Sequence, residues 1–381
     1  SYSATVNYDA AGFPTSYGTT PNESTQTRQN TIQNIQKITY PNGEVEFVQA
    51  SSNRDDFANG HALESIKVYN YENSVKKLIK LISFHYSYFT DRLGNYGRLK
   101  LDSVRISDAL SLDIQTYKFG YTTNIYSWLY KEGGGFDMSD MAKVDYFNYY
   151  NGQNNAHTLD NSYNGVTWAG GLANRTSDET YMKQAVLNKI TYPSGGYSVF
   201  DFEANKFVRN SSIFTAGGLR IKSIKNYLTD NSLASLKRYE YSSDDGLGVG
   251  KLTTSSWGFP ATGQVGTFRY ISGTDILKTD IVSPSANIPG NSFDTSPVYY
   301  TLVKVFEEES SDPIKNGRTE HEFGFEPDIV FSNPFTLQRD IQPWKRGQEI
   351  SQKIYDSSNF LKYSKITGYQ NFKAESIQNL Q

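Results

Sequence analysis

The 381-residue chain contains no cysteine, and that absence removes disulfides, thiolate nucleophiles and thiolate metal sites together. Histidine is scarce: His61, His85, His157 and His321 are the only four, and none falls in an H-x-H or H-E-x-x-H spacing, so a histidine-based metal centre has no support. No run approaches the roughly 18 apolar residues of a membrane-spanning helix, and Leu78-Ile79-Lys80-Leu81-Ile82 is broken by a lysine. Charge of one sign is lacking as well. The 37 basic and 40 acidic residues are spread along the chain and leave a net charge of −3, so no long-range field favours nucleic acid or anionic lipid. There is no G-x-S-x-G elbow, and Gly133-Gly134-Gly135 lacks the following Lys-Ser/Thr of a phosphate loop. The chain opens on Ser1-Tyr2-Ser3 without the charged and apolar regions of a signal peptide, which reads as a mature or proteolysed fragment.

What is present is aromatic. Against 3 Met stand 29 Tyr and 22 Phe, so the surface available for burial comes from residues that favour strands. Tyrosine packs its ring on a half-buried sheet while its hydroxyl stays wet, which suits wide, thin sheets. The motif Lys-Ile-Thr-Tyr-Pro-x-Gly occurs at Lys37–Gly43 and again at Lys189–Gly195, an interval of 152 (190 − 38). Two copies of one supersecondary unit predict repeated antiparallel β-hairpins and meanders that form extended twisted sheets, an all-β fold.

A pass along the chain divides it into six segments. Residues 1–30, rich in Ser, Thr and Asn, read as an extended N-terminal arm. Residues 31–121 form a first β unit, in which Asn42-Gly43 is expected to supply the positive φ of a tight hairpin. Lys76–Phe89 fits helical spacing at Leu78, Leu81 and Ile82, but the alternation of Ile82, Phe84, Tyr86 and Tyr88 favours strand. Residues 122–186 read as an aromatic and Gly-rich insertion held by its own rings. A second β unit spans 187–255, where Gly217–Tyr227 matches Leu63–Tyr69. A Gly/Ser/Pro-rich connection covers 256–297, and a third β unit, 298–381, runs into strand, Tyr355-Asp356 turn and strand, a YD-type hairpin.

Several stretches fall in a telling order: Arg98–Val104, Asp145–Asn155, Leu187–Asn205, Gly217–Ile224, Asn316–Phe323 and Trp344–Gln348. This series resembles the large secreted or surface proteins of Bacteroidota that carry YD or RHS-type repeats. The resemblance implies a β-rich segment upstream of, and merging into, a repeat region, located outside the cell or at the outer-membrane surface. It also implies partners among other protein segments or subunits there, including export machinery. No catalytic residues come with it. The chain stops at Gln381 without a repeat array or toxin domain, so encapsulation is not implied for it.

Two sets of residues are candidates for a site. Trp128, Tyr149, Tyr150 and Trp168 could stack on sugar rings, or could anchor loops and core. Asp160, Ser162 and Asn164 begin like a Ca²⁺ loop, with Gly165 at the sixth position, but the twelfth is Gly171 and not a bidentate Glu, so a plain Asn-Gly turn is the competing reading. Asp201, Glu203, Glu307 and Glu309 cannot be placed from sequence as a facing acid pair of the kind that cleaves glycosides. The reading favoured by the sequence is a non-enzymatic scaffold with no required cofactor. A carbohydrate-binding surface protein and a glycan-directed hydrolase are the alternatives.

Overall fold

In the computed structural model, the residues described are 2–8, 14–21, 34–56, 60–90, 96–110, 112, 114–122, 143–147, 149–155, 172–209, 211–243, 248–252, 262–272, 275–284, 298–308, 316–327, 329–333, 336–340 and 343–370. Strand makes up 62% and helix 3%, so the chain is all-β as its composition demands. The strands are β1 (Tyr2–Tyr8), β2 (Pro14–Pro21), β3 (Lys37–Tyr40), β4 (Gly43–Gln49), β5 (Leu63–Glu72), β6 (Val75–Thr90), β7 (Tyr96–Ser107) and β8 (Ile114–Tyr121). A one-turn helix, α1 (Glu179–Met182), precedes β9 (Leu187–Thr191), β10 (Tyr197–Arg209), β11 (Ser212–Tyr227), β12 (Leu233–Ser242), β13 (Lys251–Leu252), β14 (Thr262–Ser272) and β15 (Asp275–Pro284). The chain continues through β16 (Val298–Tyr299), β17 (Leu302–Glu308), β18 (Arg318–Phe323), β19 (Ile329–Asn333), β20 (Thr336–Asp340), a 3₁₀ turn at Pro343–Lys345, β21 (Glu349–Tyr355) and β22 (Leu361–Ile366). Among the described residues no helix is long and apolar enough to cross a membrane.

The chain divides into two compact units, one formed by residues 1–205, 215–234 and 256–292, the other by 206–214, 235–255 and 293–381. In the first unit, β3 to β11 lie side by side in chain order, with β3 to β10 paired antiparallel. Alternation sorts the side chains. Phe47, Ile66, Ile82 and Ile106 stand opposite one another across four strands, whereas the adjacent row on the other face holds Lys37, Glu46 and Lys67. A one-residue slip would exchange the two rows, so this contrast fixes the register. Segment 76–89 is strand, as part of β6, because its aromatic and β-branched residues at every second position fit a pleated ribbon better than a helix.

The expected arm and the expected Gly/Ser/Pro connection each contain two strands. They meet in a four-stranded sheet ordered β14-β15-β1-β2, with Tyr2 opposite Val282 and Tyr8 opposite Ile276. Nothing local in either stretch announces a partner more than 260 residues away.

The turn chemistry departs from expectation at the first hairpin. Neither Asn42 nor Gly43 has positive φ. Gly43 is required by crowding instead: a Cβ there would lie 2.2 Å from the Tyr69 carbonyl oxygen and 2.6 Å from the Tyr40 hydroxyl. In the second hairpin Gly195 does turn at φ +89, and the following Gly196 sits 2.9 Å, measured from a built Cβ, from the Tyr227 carbonyl oxygen. Gly196 is therefore the counterpart of Gly43, and the second turn carries one extra residue.

In the second unit the order is β12-β17-β18-β21-β22, again antiparallel throughout. One face carries a charge-alternating row, Glu240, Lys304, Glu320 and Lys353. On the same face, Arg238 lies 4.2 Å over the Phe306 ring and Arg318 4.3 Å over Tyr355, so guanidinium planes cap the aromatics and keep the strands wettable. Phe207, Val249 and Val298 are its buried apolar residues, with Phe207 stacked on Phe214 at 5.6 Å. The Tyr355-Asp356 turn forms because the Asp356 carboxylate accepts the N–H groups of Ser358 and Phe360 at 3.0 and 2.9 Å, while Asn359 adopts φ +66.

Candidate functional site

The most elaborate polar arrangement clasps a loop against β11. Asp145, fully buried, accepts the N–H groups of Phe147 and Tyr149, both at 2.8 Å, and the Ser177 hydroxyl at 2.5 Å. Arg175 donates to the Asp145 carbonyl at 2.9 Å and lies 5.0 Å over the Tyr146 ring. Burial pushes the Asp145 carboxyl above its ordinary value, against the pull of these donors. Asn151, also buried, bonds the carbonyls of Asn174 and Thr176 at 3.0 and 3.1 Å. Asp178 caps α1 by accepting from Thr180 and Tyr181.

This loop seats on the twin glycine of β11. A Cβ on Gly217 would meet Phe147 Cβ and Tyr149 Cδ2 at 2.5 Å, and Gly218, at φ +88, donates its N–H to Met182 Sδ at 3.2 Å. Two consecutive glycines inside a strand signal such close approach, and Gly217-Gly218 is where sequence could have located the seat.

Of the expected ligand-binding aromatics, Tyr149 and Tyr150 lie in this clasp. Tyr149 is half-buried with its hydroxyl 3.1 Å from a Cβ built on Gly218, and Tyr150 meets Tyr181 edge-on at 5.5 Å. Trp128 and Trp168 lie outside the described residues, as do Asp160, Ser162 and Asn164 of the calcium-like loop. Among the described residues there is no group of three or more His, Asp or Glu able to hold a metal ion.

Several of the remaining candidate acids and histidines have structural partners. Glu203 pairs with Arg220 at 2.7 Å and Glu307 with Lys237 at 2.9 Å, on separate strands of separate units, while Glu309 lies outside the described residues. His61 Nδ1 is 3.0 Å from the Ser52 carbonyl oxygen, and His321 Nδ1 is 2.5 Å from Glu349 Oε1 on the neighbouring strand, with Phe323 stacked beside it.

The sheet edges are the other prominent feature. Every residue of β3 is exposed, including Ile38 at 48%, and every residue of β22 is exposed, including Ile366 at 84%. An outer strand presents unpaired N–H and C=O groups along one side, and aliphatic side chains beside them add apolar surface for another strand to cover. Behind β3, the nearly inaccessible Glu44 is hydrogen-bonded by Lys76 and Tyr71 and approached by Lys37 at 3.4 Å; these donors hold its carboxyl at about 2.

The sequence places no residue of β3 or β22 among its candidate site residues, because an edge is defined by what does not pair with it and leaves no local pattern. No protein-family model matches the chain, and no curated protein matches it.

Proposed function

We propose that the chain is a non-enzymatic scaffold of the YD/RHS-like kind, exported to the cell surface or beyond, that acts by joining other polypeptide segments or subunits through its sheet edges. The observation that carries this reading is the pair of outer strands, β3 and β22, each exposed along its whole length and carrying exposed aliphatic residues such as Ile38 and Ile366. Strand addition is the association mode such an edge supports: main-chain hydrogen bonds provide affinity and alternate side chains provide selectivity. The ordered series of stretches from Arg98 to Gln348 supports the Bacteroidota surface setting, and export machinery belongs with it as a partner.

Several polar groups that could have served chemistry help hold the chain together. Asp145 ties three donors, Glu203 and Glu307 each pair with a basic strand neighbour, and Phe147, Tyr149 and Tyr150 are packed into the loop clasp. A glycan-binding reading is favoured by Trp344, the single tryptophan among the described residues, which is 58% exposed on the turn before β21.

The two readings separate by photo-crosslinking in the native cells, with a benzophenone side chain placed at Ile38, Tyr363 or Trp344 and proteinase added to intact cells. A surface scaffold gives proteinase-sensitive protein and crosslinked polypeptide from Ile38 or Tyr363. Crosslinks to polysaccharide from Trp344 alone transfer the assignment to glycan binding, and resistance of the protein to external proteinase removes the surface assignment.

A further inference from the structure

The Lys-Ile-Thr-Tyr strand occurs twice, and among the described residues its outer side is covered in one copy only. Around β9 the cover is β8, antiparallel, with Phe119 opposite Ile190, Gly120 opposite Lys189 and Lys118 opposite Thr191. The glycine makes a close approach there: a Cβ on residue 120 would stand 3.0 Å from the Lys189 Cβ. Lys189 in turn reaches across the sheet to lie 3.8 Å over the Tyr197 ring. A third Lys-Ile strand, Lys353-Ile354 in β21, is also covered on the corresponding side, by β18, but with Thr319 opposite Ile354 and Glu320 opposite Lys353, so the Phe and Gly cover is particular to the Lys-Ile-Thr-Tyr copy.

The first copy has the same strand pairing to its hairpin partner and nothing on its outer side among the described residues. Ile38 pairs inward with Val45 as Ile190 does with Ser198, and Lys37 leans inward to Glu44, as Lys189 leans over Tyr197. The outer side is where the copies diverge: β9 is half-buried at every residue and β3 exposed at every residue. Ile38 is the position that gains most from a cover, since its aliphatic side chain is the one an aromatic residue shields in the other copy.

We propose that β3 is the acceptor edge for an extended protein strand of the β8 kind, an aromatic-rich segment containing Lys-Phe-Gly-Tyr. It adds antiparallel with its Phe across from Ile38 and its Gly across from Lys37. This inference rests on the strand-joining function above and names the partner of one of its edges. The β8 and β18 strands of this chain are already paired on both sides, so the added strand comes from another polypeptide segment. Glycine across from Lys37 is the selective element, by analogy with Gly120, where a Cβ would come within 3.0 Å of the Lys189 Cβ.

The test is hydrogen exchange on the full chain in excess synthetic octapeptide with the sequence of Ile114–Tyr121. The expected result is about tenfold slower exchange of the amides of β3, with those of β22 unchanged. The same octapeptide carrying Val in place of its Gly is expected to give no protection, and the chain variant Ile38→Lys to weaken the effect of the original peptide. Equal protection by the Val peptide, protection at β22 instead, or no protection overturns the inference. Concentration-dependent protection of β3 without peptide also overturns it, in favour of a second copy as occupant. Any of these results leaves the strand-joining function standing if Ile38 or Tyr363 still crosslinks to polypeptide in cells, whereas loss of those crosslinks removes that function and not merely its partner.

Discussion

The two copies of the Lys-Ile-Thr-Tyr hairpin keep one geometry and use different chemistry inside it. In the first, Lys37 and Lys76 converge on the carboxylate of Glu44, whose strand position faces Tyr69. In the second, the residue at the equivalent place is Tyr197, which stacks on Tyr227 at 4.8 Å and receives Lys189 on its face. A lysine thus crosses the same pair of strands in both, ending on a carboxylate in one and on a ring in the other. The backbone register is what the repeat conserves, and the partner for the cation is replaceable so long as it is negative or π-rich. The copy at the sheet edge ends its lysine on a carboxylate and the interior copy on a ring face.

The comparison breaks most readily at the turn glycines. Gly43→Ala forces a methyl group to within 2.2 Å of a backbone oxygen that cannot step aside, and is expected to cost about 2–4 kcal/mol. Gly196→Ala meets its carbonyl at 2.9 Å and is expected to cost about 1–2 kcal/mol. Hydrogen exchange of β4 and β10 amides reads the two separately, which matters because a chain of two compact units need not unfold in one transition. Equal losses would show that the turns are not distinguished by the crowding described.

A smaller difference is expected one strand position further in. Ile190→Ala removes an aliphatic group packed against Phe119 and is expected to cost about 1–2 kcal/mol, against under about 0.5 kcal/mol for Ile38→Ala at the open edge. Addition of the covering octapeptide raises the cost at Ile38 toward that at Ile190, so the pair of variants measured with and without peptide sharpens the comparison.

Acid is expected to act on the first copy through Glu44, which has no carboxylate counterpart at Tyr197 in the second. The donors around Glu44 lower its carboxyl from an ordinary 4.5 to about 2. Its contribution to stability is complete above about 4.5 and is lost as the pH falls toward and through about 2, because the unfolded chain takes up the proton first. Exchange of β3 and β4 amides accelerates across that window, and Glu44→Gln abolishes that acceleration. The smallest effect is expected from the lysines: Lys37→Met and Lys189→Met each cost under about 1 kcal/mol, with only the former sensitive to added salt.

Sequence carried the strand class because alternation is a local property. The run Ile82, Phe84, Tyr86 and Tyr88 declares a pleat without reference to anything else, and β6 is the result. Asp356 announced its turn for the same reason, since the atoms that make it lie within four residues. Pairings between distant segments had no such signature: β1 meets β15 only after the whole intervening chain has been placed. Gly43 illustrates a subtler limit, because glycine at a turn means positive φ or close approach, and only the position of the Tyr69 carbonyl distinguishes them. Asp145 and Gly217, 72 positions apart (217 − 145), had each been visible as residues, but their union in the loop clasp depends on β11 passing under the loop.

The side-by-side order of β3 to β9 in the first ladder carries a consequence for biogenesis. Each ribbon docks on the one made just before it, so a polypeptide emerging amino end first completes a rung before the next is supplied, and closes only short loops apart from the one leading into β9. Growth of that kind always leaves its newest strand open and its oldest strand bare, and a protein assembled in this way displays at its starting rim the face on which a neighbour can begin.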